Sequence, residues 1–345
     1  MPQPLLYLLI ATGLIALTLA LFWPMTGIIA RFRQARRSTE RVLIEDTLKH
    51  LHSLESRQRR PTLESVAGAV NIPINRVAPL LEIMQKRELV TMKNDDFHLT
   101  DHGREYALHM IRAHRLWESY LADTTGYGES DWHGQAEEIE HTLAPQDVDA
   151  LAARLGNPMI DPHGDPIPTA EGDYVPHGGK PLSGVHAGES VRIVHLEDEP
   201  AMLYAQLVAE GLHLDQIIQV LENDPQRVRF WADGNEHVLA PLVAANVSVR
   251  PLPPEISTDI APAQRLDSLN PGEQASITAI SRGCRGAERR RLMDLGIVPG
   301  TQVEVEMRSP SGDPTAYRIR DTIIALRKEQ AKHIQIERMS ARSEE

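Results

Sequence analysis

The sequence has little of three things: cysteine, aromatic residues and net positive charge. Cys284 is the single cysteine among 345 residues, which excludes a disulfide framework within one chain and any zinc site built from several cysteines. Aromatic residues make up 4% of the chain, so no large aromatic-lined surface is indicated. The net charge of −12 has the wrong sign for a protein that coats nucleic acid by charge alone.

The familiar motifs of catalysis are missing as well. The sequence contains no phosphate loop, no nucleophile elbow and no dinucleotide-binding fingerprint. We therefore predict that the protein is not an enzyme. Its length is sufficient for about two to four compact domains.

The first thirty residues form a long apolar run. No charged residue occurs between Pro4 and Ala30, and the stretch 5–23 is long enough to cross a bilayer as a helix. Four arginines follow within residues 31–37, and none precedes the run. Because positive charge favours the cytoplasmic side, we predict a single-pass anchor of the cytoplasmic membrane over residues 1–37, with the remaining domains in the cytoplasm. A cleaved signal peptide and a buried helix are the alternatives.

Residues 38–100 have the pattern of a winged helix-turn-helix. Apolar residues at helical spacing predict three helices, over 39–55, 63–70 and 77–89, and a short hairpin follows over 90–100. The third helix has the recognition position, which makes Asn75 and Arg76 the candidate DNA-binding residues. Pro79 and an acidic wing tip count against strong DNA binding.

Residues 101–170 are predicted to be mainly helical, over 104–123, 135–143 and 146–155, and to bind a metal ion. The side chains of His133, Glu137, Glu140 and His141 recur at helical spacing and would share one stripe. A second pair, four residues apart on the preceding helix, consists of His114 and Glu118. Nitrogen and carboxylate ligands without thiolates suit Mn(II) or Fe(II), although Zn(II) or Co(II) could also bind.

The remainder of the chain contains an internal repeat. The segment 182–193 (LSGVHAGESVRI) parallels 266–277 (LDSLNPGEQASI), and later Gly and Val/Ile positions keep the same spacing. Short strands separated by glycine turns predict two small β-barrels, over residues 181–252 and 263–339. The pattern therefore predicts the fold class of a multidomain α+β protein: a transmembrane helix, a winged helix-turn-helix, an α-helical metal-binding domain, and two small β-barrels.

Several motifs, in the same order and spacing, resemble the metal-dependent repressor family typified by the diphtheria toxin repressor and the manganese regulator MntR. The matching stretches are Glu45-Asp46-x-Leu48-Lys49, His114-Arg115-Leu116-x-Glu118, the His133 to His141 motif and Pro162-His163-Gly164-x-Pro166-Ile167-Pro168. Both C-terminal repeats resemble FeoA-like, SH3-type barrels, the second more clearly through its segment 291–300.

The resemblance implies two metal sites. The primary site would consist of Asp46, Glu137, Glu140 and His141. An ancillary site would use His114, Glu118 and His133, completed by Glu197 or Glu199 of the first barrel. Metal bound at the primary site would dock the winged helix on the dimerisation helices of a homodimer and so match the spacing of its operator DNA.

Two functions follow as hypotheses. The first is a membrane-tethered transcriptional regulator that binds double-stranded operator DNA when loaded with Fe(II) or Mn(II). The second is a membrane-bound, metal-binding accessory of a ferrous iron transporter that no longer binds DNA.

Overall fold

The computed structural model describes Tyr7, Ala11 and residues 39–93, 96–233, 235–252, 264–281 and 283–339. The chain divides into two compact units, Met1–Ile111 and Arg112–Glu345. The predicted membrane anchor over residues 1–37 lies outside the described residues, apart from the two isolated positions. Among the helices that the structure describes, none combines the length and the apolar character needed to cross a bilayer.

The first unit is a winged helix-turn-helix, as predicted. Leu48, Val77 and Met84 are buried in the core that its helices share. Thr39 caps the first helix by accepting a hydrogen bond from the Val42 N–H. The elements are α1 Glu40–Ser56, α2 Leu63–Ala69, α3 Val77–Lys86, β1 Val90–Lys93, β2 Asp96–Leu99 and the start of α4 Asp101–Thr124.

The proline of the third helix does not break it. A 3₁₀ turn, Ile74–Arg76, leads directly into α3, so that Pro79 is the third residue of the helix. The first N–H groups of a helix have no partner within the helix, and a proline in the first turn therefore removes little. The helix is shorter than predicted and ends at Lys86 instead of residue 89.

In the second unit, helix α4 packs against helix α6. Ala113 and Leu116 of α4 and Val148 of α6 are buried in one core. The helix that was predicted over 135–143 begins at Glu129 and ends at Ile139. It ends earlier than predicted because the chain tightens into a 3₁₀ turn, Glu140–Thr142, before Pro145. The helices that follow α4 are α5 Glu129–Ile139 and α6 Pro145–Arg154.

Two antiparallel β-sheet domains complete the second unit and confirm the predicted repeat. We call them the first and second β-domain. The strands of the first are β3 Lys180–Pro181, β4 Ser190–Leu196, β5 Ile217–Asn223, β6 Val228–Ala232, β7 Asn235–Leu239 and β8 Val247–Pro251. Those of the second are β9 Gln264–Arg265, β10 Gln274–Ile280, β11 Gln302–Arg308, β12 Thr315–Ile319, β13 Thr322–Leu326 and β14 Ile334–Arg338.

The two sheets have the same topology. The strand order is β3-β8-β4-β5-β6-β7 in the first and β9-β14-β10-β11-β12-β13 in the second. The register shifts at matching places, between Ile193 and His195 in β4 and between Ile277 and Ala279 in β10. Each sheet surrounds its own apolar core.

Each β-domain also contains a helix that the strand pattern did not predict. The helix α7 Ala201–Ala209 connects β4 to β5, and α9 Gly286–Asp294 connects β10 to β11. Each buries a leucine in the core of its own domain, Leu207 and Leu292. A short helix also precedes the last strand of each domain: α8 Pro241–Ala244 and α10 Lys328–Ala331.

Candidate metal centre

The helix α4 presents two buried polar side chains on one face. His114 and Glu118 are one helical turn apart, so they project in the same direction, and both are buried. The Nε2 atom of His114 lies 3.0 Å from Oε1 of Glu118.

His133 of α5 completes a compact triangle of ligand atoms. Its Nδ1 lies 3.3 Å from Nε2 of His114 and 3.3 Å from Oε1 of Glu118. Metal–ligand bonds of about 2.0–2.2 Å separate neighbouring ligand atoms by about 3.0–3.5 Å. The three atoms therefore already have the spacing of one coordination sphere. Sequence reasoning predicted these three residues together, and the structure brings them together.

A fourth side chain comes from the first β-domain, just after β4. Asp198 Oδ2 lies 3.0 Å from Nδ1 of His133, on the side of the triangle. Glu199 faces the other ring nitrogen of His133, the one outside the triangle, with Oε1 3.3 Å from Nε2. The sequence predicted Glu197 or Glu199 for this position and missed Asp198. Three acidic residues in a row left open which of them faces the helices, because that depends on how the β-domain packs.

His163 also lies at the cluster and was not among the predicted ligands. It is 1% exposed, and its Nδ1 lies 3.7 Å from both Glu118 Oε2 and Asp198 Oδ2. The loop that holds it is tightly organised, because Asp161 Oδ1 accepts hydrogen bonds from the N–H groups of residues 163, 164 and 165. A histidine inside the motif 162–168 was the sequence signal that could have indicated a ligand.

Gly164 allows this loop to pack against the first β-domain. Its φ is +97°, and a Cβ at this position would lie 2.2 Å from the carbonyl oxygen of Val194. A side chain would therefore be strained and would collide with β4. The glycine keeps His163 and the β4–α7 connection on the same cluster.

Charges within the cluster compensate for burial. Burial acts to raise the pKa of Glu118, but the charge of His114 and hydrogen bonds from His114 and His133 hold that pKa well below its ordinary value. Burial acts to lower the pKa of His133, yet Asp198 and Glu118 raise it above its ordinary value. The hydrogen bond from His133 likewise lowers the pKa of Asp198 against the effect of burial, so Glu118 and Asp198 are ionised and available as ligands.

The outer nitrogens of both helix histidines face carboxylates. Nδ1 of His114 lies 2.5 Å from Oε2 of Glu140, and Nε2 of His133 lies 3.6 Å from Oε1 of Glu137. A metal-binding histidine usually donates its other N–H to a carboxylate, which fixes the ring orientation. The same arrangement directs Nε2 of His114 and Nδ1 of His133 towards Glu118.

The predicted primary-site residues are distributed over different elements. Glu137 is on α5, whereas Glu140 and His141 are in the 3₁₀ turn that follows. The stripe predicted for His133, Glu137, Glu140 and His141 is therefore not part of one regular helix. His141 Nε2 lies 3.6 Å from Oε1 of Glu140. Asp46 belongs to α1 in the first unit, and the four-residue primary site stays a prediction.

The donors present fit a divalent transition metal. The imidazole and carboxylate groups of His114, Glu118, His133 and Asp198 suit Mn(II), Fe(II), Co(II) or Zn(II).

The predicted DNA-binding residues, Asn75 and Arg76, are exposed in the turn before α3, and their contact with DNA stays a prediction.

Comparison with known proteins identifies two domains. Residues 100–169 match the family model described as the iron dependent repressor, metal binding and dimerisation domain, and residues 264–338 match the FeoA domain. The chain contains both domains. They occur in non-enzymatic metal-dependent repressors and transport-associated proteins, which confirms the prediction that this is not an enzyme.

Curated relatives come from both classes. A probable metal transport system membrane protein of Chlamydia pneumoniae is 33% identical over 169 residues, which is 46% of this chain and 37% of that protein. The iron-dependent repressor IdeR of Mycobacterium tuberculosis is 28% identical over 150 residues, 43% of this chain and 64% of the repressor. The chain thus spans less than two thirds of the length of these relatives.

Solved structures share the regulator fold. A manganese-dependent transcriptional repressor in complex with manganese superposes with a TM-score of 0.55 at 25% identity, covering 60% of this chain and 100% of that one. The repressor ScaR with bound Zn²⁺ gives 0.54 at 26% identity, with 61% and 99% covered. Over about 60% of its length, the chain therefore has the fold of these metal-dependent regulators.

Proposed function

We propose that the protein is a Fe(II)- or Mn(II)-dependent DNA-binding transcriptional regulator of metal-ion homeostasis that acts as a homodimer. The observation that carries this proposal is the triangle of His114, Glu118 and His133, whose spacing is that of ligands around one ion. Asp198 of the first β-domain adds a ligand from a distant part of the chain. Metal binding at this ancillary site joins the helices to the β-domain.

DNA recognition in this proposal rests on the first unit. Its fold is a winged helix-turn-helix, and Asn75 and Arg76 are exposed at the start of α3, where a recognition helix usually meets the major groove. A metal ion bound by Asp46, Glu137, Glu140 and His141 docks this unit on the dimerisation helices. The operator is double-stranded and palindromic, as a twofold dimer requires.

Membrane tethering is part of the same proposal. The uncharged run of residues 5–23 is followed by arginines at 31, 33, 36 and 37, a pattern that supports an anchor in the cytoplasmic membrane with the domains in the cytoplasm. Protease treatment of inside-out vesicles should digest the domains, whereas right-side-out vesicles should protect them. Recovery of the intact chain in the soluble fraction would contradict this part.

DNA binding is tested with the full chain and the DNA upstream of its own gene. We expect Mn(II) to shift this DNA in a gel and a chelator to abolish the shift. Arg76→Ala should weaken binding by about 1–3 kcal/mol, or roughly 5- to 150-fold. Lys86→Ala is the matched control, since Lys86 is exposed at the other end of the same helix. The absence of any metal-dependent shift, also in a Pro79→Ala variant, rejects the DNA-binding function.

The alternative function is a membrane-bound, metal-binding accessory of a ferrous iron transporter. The FeoA domain over 264–338 favours it, and so does the similarity to proteins named as metal transport membrane proteins. A fusion of a Fe(2+) transport protein A with a FeoB transporter in Porphyromonas gingivalis is 38% identical over 77 residues, 22% of this chain and 9% of that protein. Metal binding without DNA binding, together with co-purification of a transporter, would favour this alternative.

A further inference from the structure

We propose that the cluster holds two metal ions, with Glu118 as the bridging ligand and His163 as the anchor of the second ion. The inference rests on the proposed function only in assuming that the cluster binds divalent metal. The first ion would be held by His114, His133 and Glu118. The second would be held by His163, Glu118 and Asp198, which likewise converge on one place.

The two oxygens of Glu118 face different imidazoles. Oε1 is the oxygen that lies 3.0 Å from His114 Nε2 and 3.3 Å from His133 Nδ1. Oε2 is the oxygen that lies 3.7 Å from His163 Nδ1. A carboxylate whose oxygens point to separate donor sets can bridge two ions, and such ions are typically about 3.5–4 Å apart.

Asp198 supplies a second carboxylate to both positions. Its Oδ2 lies 3.0 Å from His133 Nδ1 and 3.7 Å from His163 Nδ1. Asp198 thus lies between His133 of the first set and His163 of the second. The 3.7 Å distances are a few tenths of an ångström longer than the spacing of ligands around one ion, so a small movement of the ring would close the second position.

The imidazole of His163 is a buried polar group. Neither ring nitrogen has a hydrogen-bond partner among the residues that the structure describes. Leaving such a group unsatisfied in the interior costs about 1–3 kcal/mol. The ring packs edge-on against Tyr204, with centroids 4.9 Å apart, and its loop is fixed by Asp161 and Gly164. The ring therefore cannot turn to solvent, and a metal ion would give Nδ1 a partner.

The charge around the cluster is sufficient for two divalent ions. Glu118 and Asp198 lie between the histidines, while Glu140 lies at the outer nitrogen of His114. Glu137 and Glu199 lie at the outer nitrogen of His133. Glu118, Asp198 and Glu199 belong to this cluster alone, and Glu137 and Glu140 are shared with the proposed primary site. These carboxylates offset the four positive charges of two divalent ions, so a second cation would not be left unpaired in a buried site.

The test counts Mn(II) ions on the full chain in detergent. The protein is saturated with Mn(II), freed of excess metal by gel filtration and analysed for bound manganese per chain. We expect His163→Phe to bind one ion fewer than the wild type. His237→Phe is the matched control, since His237 also has a buried ring nitrogen without a partner among the described residues, and it lies on β7. Its manganese content should equal that of the wild type.

Electron paramagnetic resonance provides the second measurement. Two Mn(II) ions bridged by a carboxylate are exchange-coupled, so the wild type should show a coupled spectrum that His163→Phe loses. This measurement on the wild type alone decides the question if the variant fails to fold. Equal manganese content in wild type and His163→Phe, or an uncoupled wild-type spectrum at saturation, overturns the two-metal centre. Absence of bound manganese in every protein would instead reject metal binding, and with it the proposed function.

Discussion

His213 makes polar contacts through both of its ring nitrogens in the second unit. Its Nδ1 donates to the Leu214 carbonyl oxygen at 2.9 Å, and its Nε2 lies 3.4 Å from Asp233 Oδ2. Burial acts to lower the pKa of His213, but the hydrogen bonds to Asp233 and to the Leu214 carbonyl raise it above its ordinary value. The same ion pair lowers the pKa of Asp233, against the effect of burial.

The His213 pair predicts a pH-dependent stability. A histidine whose pKa is raised by folding contributes fully below its unfolded pKa of about 6.5, and the contribution is lost as the pH rises through the higher folded pKa. His213→Asn should therefore lower the free energy of unfolding by about 1–2 kcal/mol near pH 6, and by less near about pH 9. Urea unfolding at both pH values measures this. An Asp233→Asn background should remove the difference, whereas an equal loss at both pH values would contradict the prediction.

The candidate ligands that could be predicted from sequence are those whose spacing is set locally. A helix places residues 114 and 118 on one face, so their pairing is visible in the sequence, and His133 falls on the next helix. Asp198 and His163 could not be placed in this way. Asp198 comes from another domain, and the direction of His163 depends on a turn that Asp161 organises through three backbone hydrogen bonds.

Two glycines in neighbouring helices have opposite roles. Gly103 in the first turn of α4 lies against the backbone of Leu89, and a Cβ there would be 1.9 Å from the carbonyl oxygen. Gly134 lies in the middle of α5. A Cβ there would have no atom within 4 Å other than those of its chain neighbours and of the backbone of its own helix. The first glycine permits a close approach, while the second only weakens its helix.

Alanine substitutions should separate these roles. Gly103→Ala should destabilise the first unit by about 1–3 kcal/mol, because α4 or the Leu89 backbone must move. Gly134→Ala should stabilise the second unit by roughly 0.5–1 kcal/mol, because alanine loses less conformational entropy in a helix. Thermal unfolding of both variants checks the two signs. A stabilising Gly103→Ala would show that the contact with Leu89 is not tight.

Element boundaries show what a sequence pattern can and cannot determine. The helices α1 and α2 begin where Thr39 and Thr62 provide caps, and those beginnings were predicted closely. The end of α5 was not, since the change to a 3₁₀ turn at Glu140 leaves the apolar pattern unchanged. The helix α7 was missed because a short apolar run between strands resembles a further strand. The helix α9 was missed because its sequence, with three consecutive arginines, has no apolar pattern of its own beyond the buried Leu292.

Across the whole second unit, the candidate metal centre is formed by three segments that are far apart in sequence. His114 and His133 come from the helices, His163 from the loop after α6, and Asp198 from the β4–α7 connection of the first β-domain. An ion that binds only the folded form stabilises it by about 2.7 kcal/mol at a hundred times the dissociation constant. The gain should be shared by all segments that provide ligands.

Hydrogen exchange should reveal this connection directly. Addition of Mn(II) should slow amide exchange in residues 112–142, 161–168 and 196–204 and leave the strands of the second β-domain unchanged. Glu118→Gln should abolish the added protection, because this carboxylate touches both donor sets. Glu105→Gln, at an exposed position of the same helix, should keep it. Protection confined to one segment would show that the metal does not join them.

The repeat of the two β-domains has a consequence for synthesis. Each sheet is formed by one continuous stretch of chain, from β3 to β8 and then from β9 to β14. Because domains fold in order as they leave the ribosome, every strand of the first sheet is made before any strand of the second. Two domains with the same strand order and matching register shifts could otherwise exchange strands. The order of translation lets the nascent first domain close before its competitor exists.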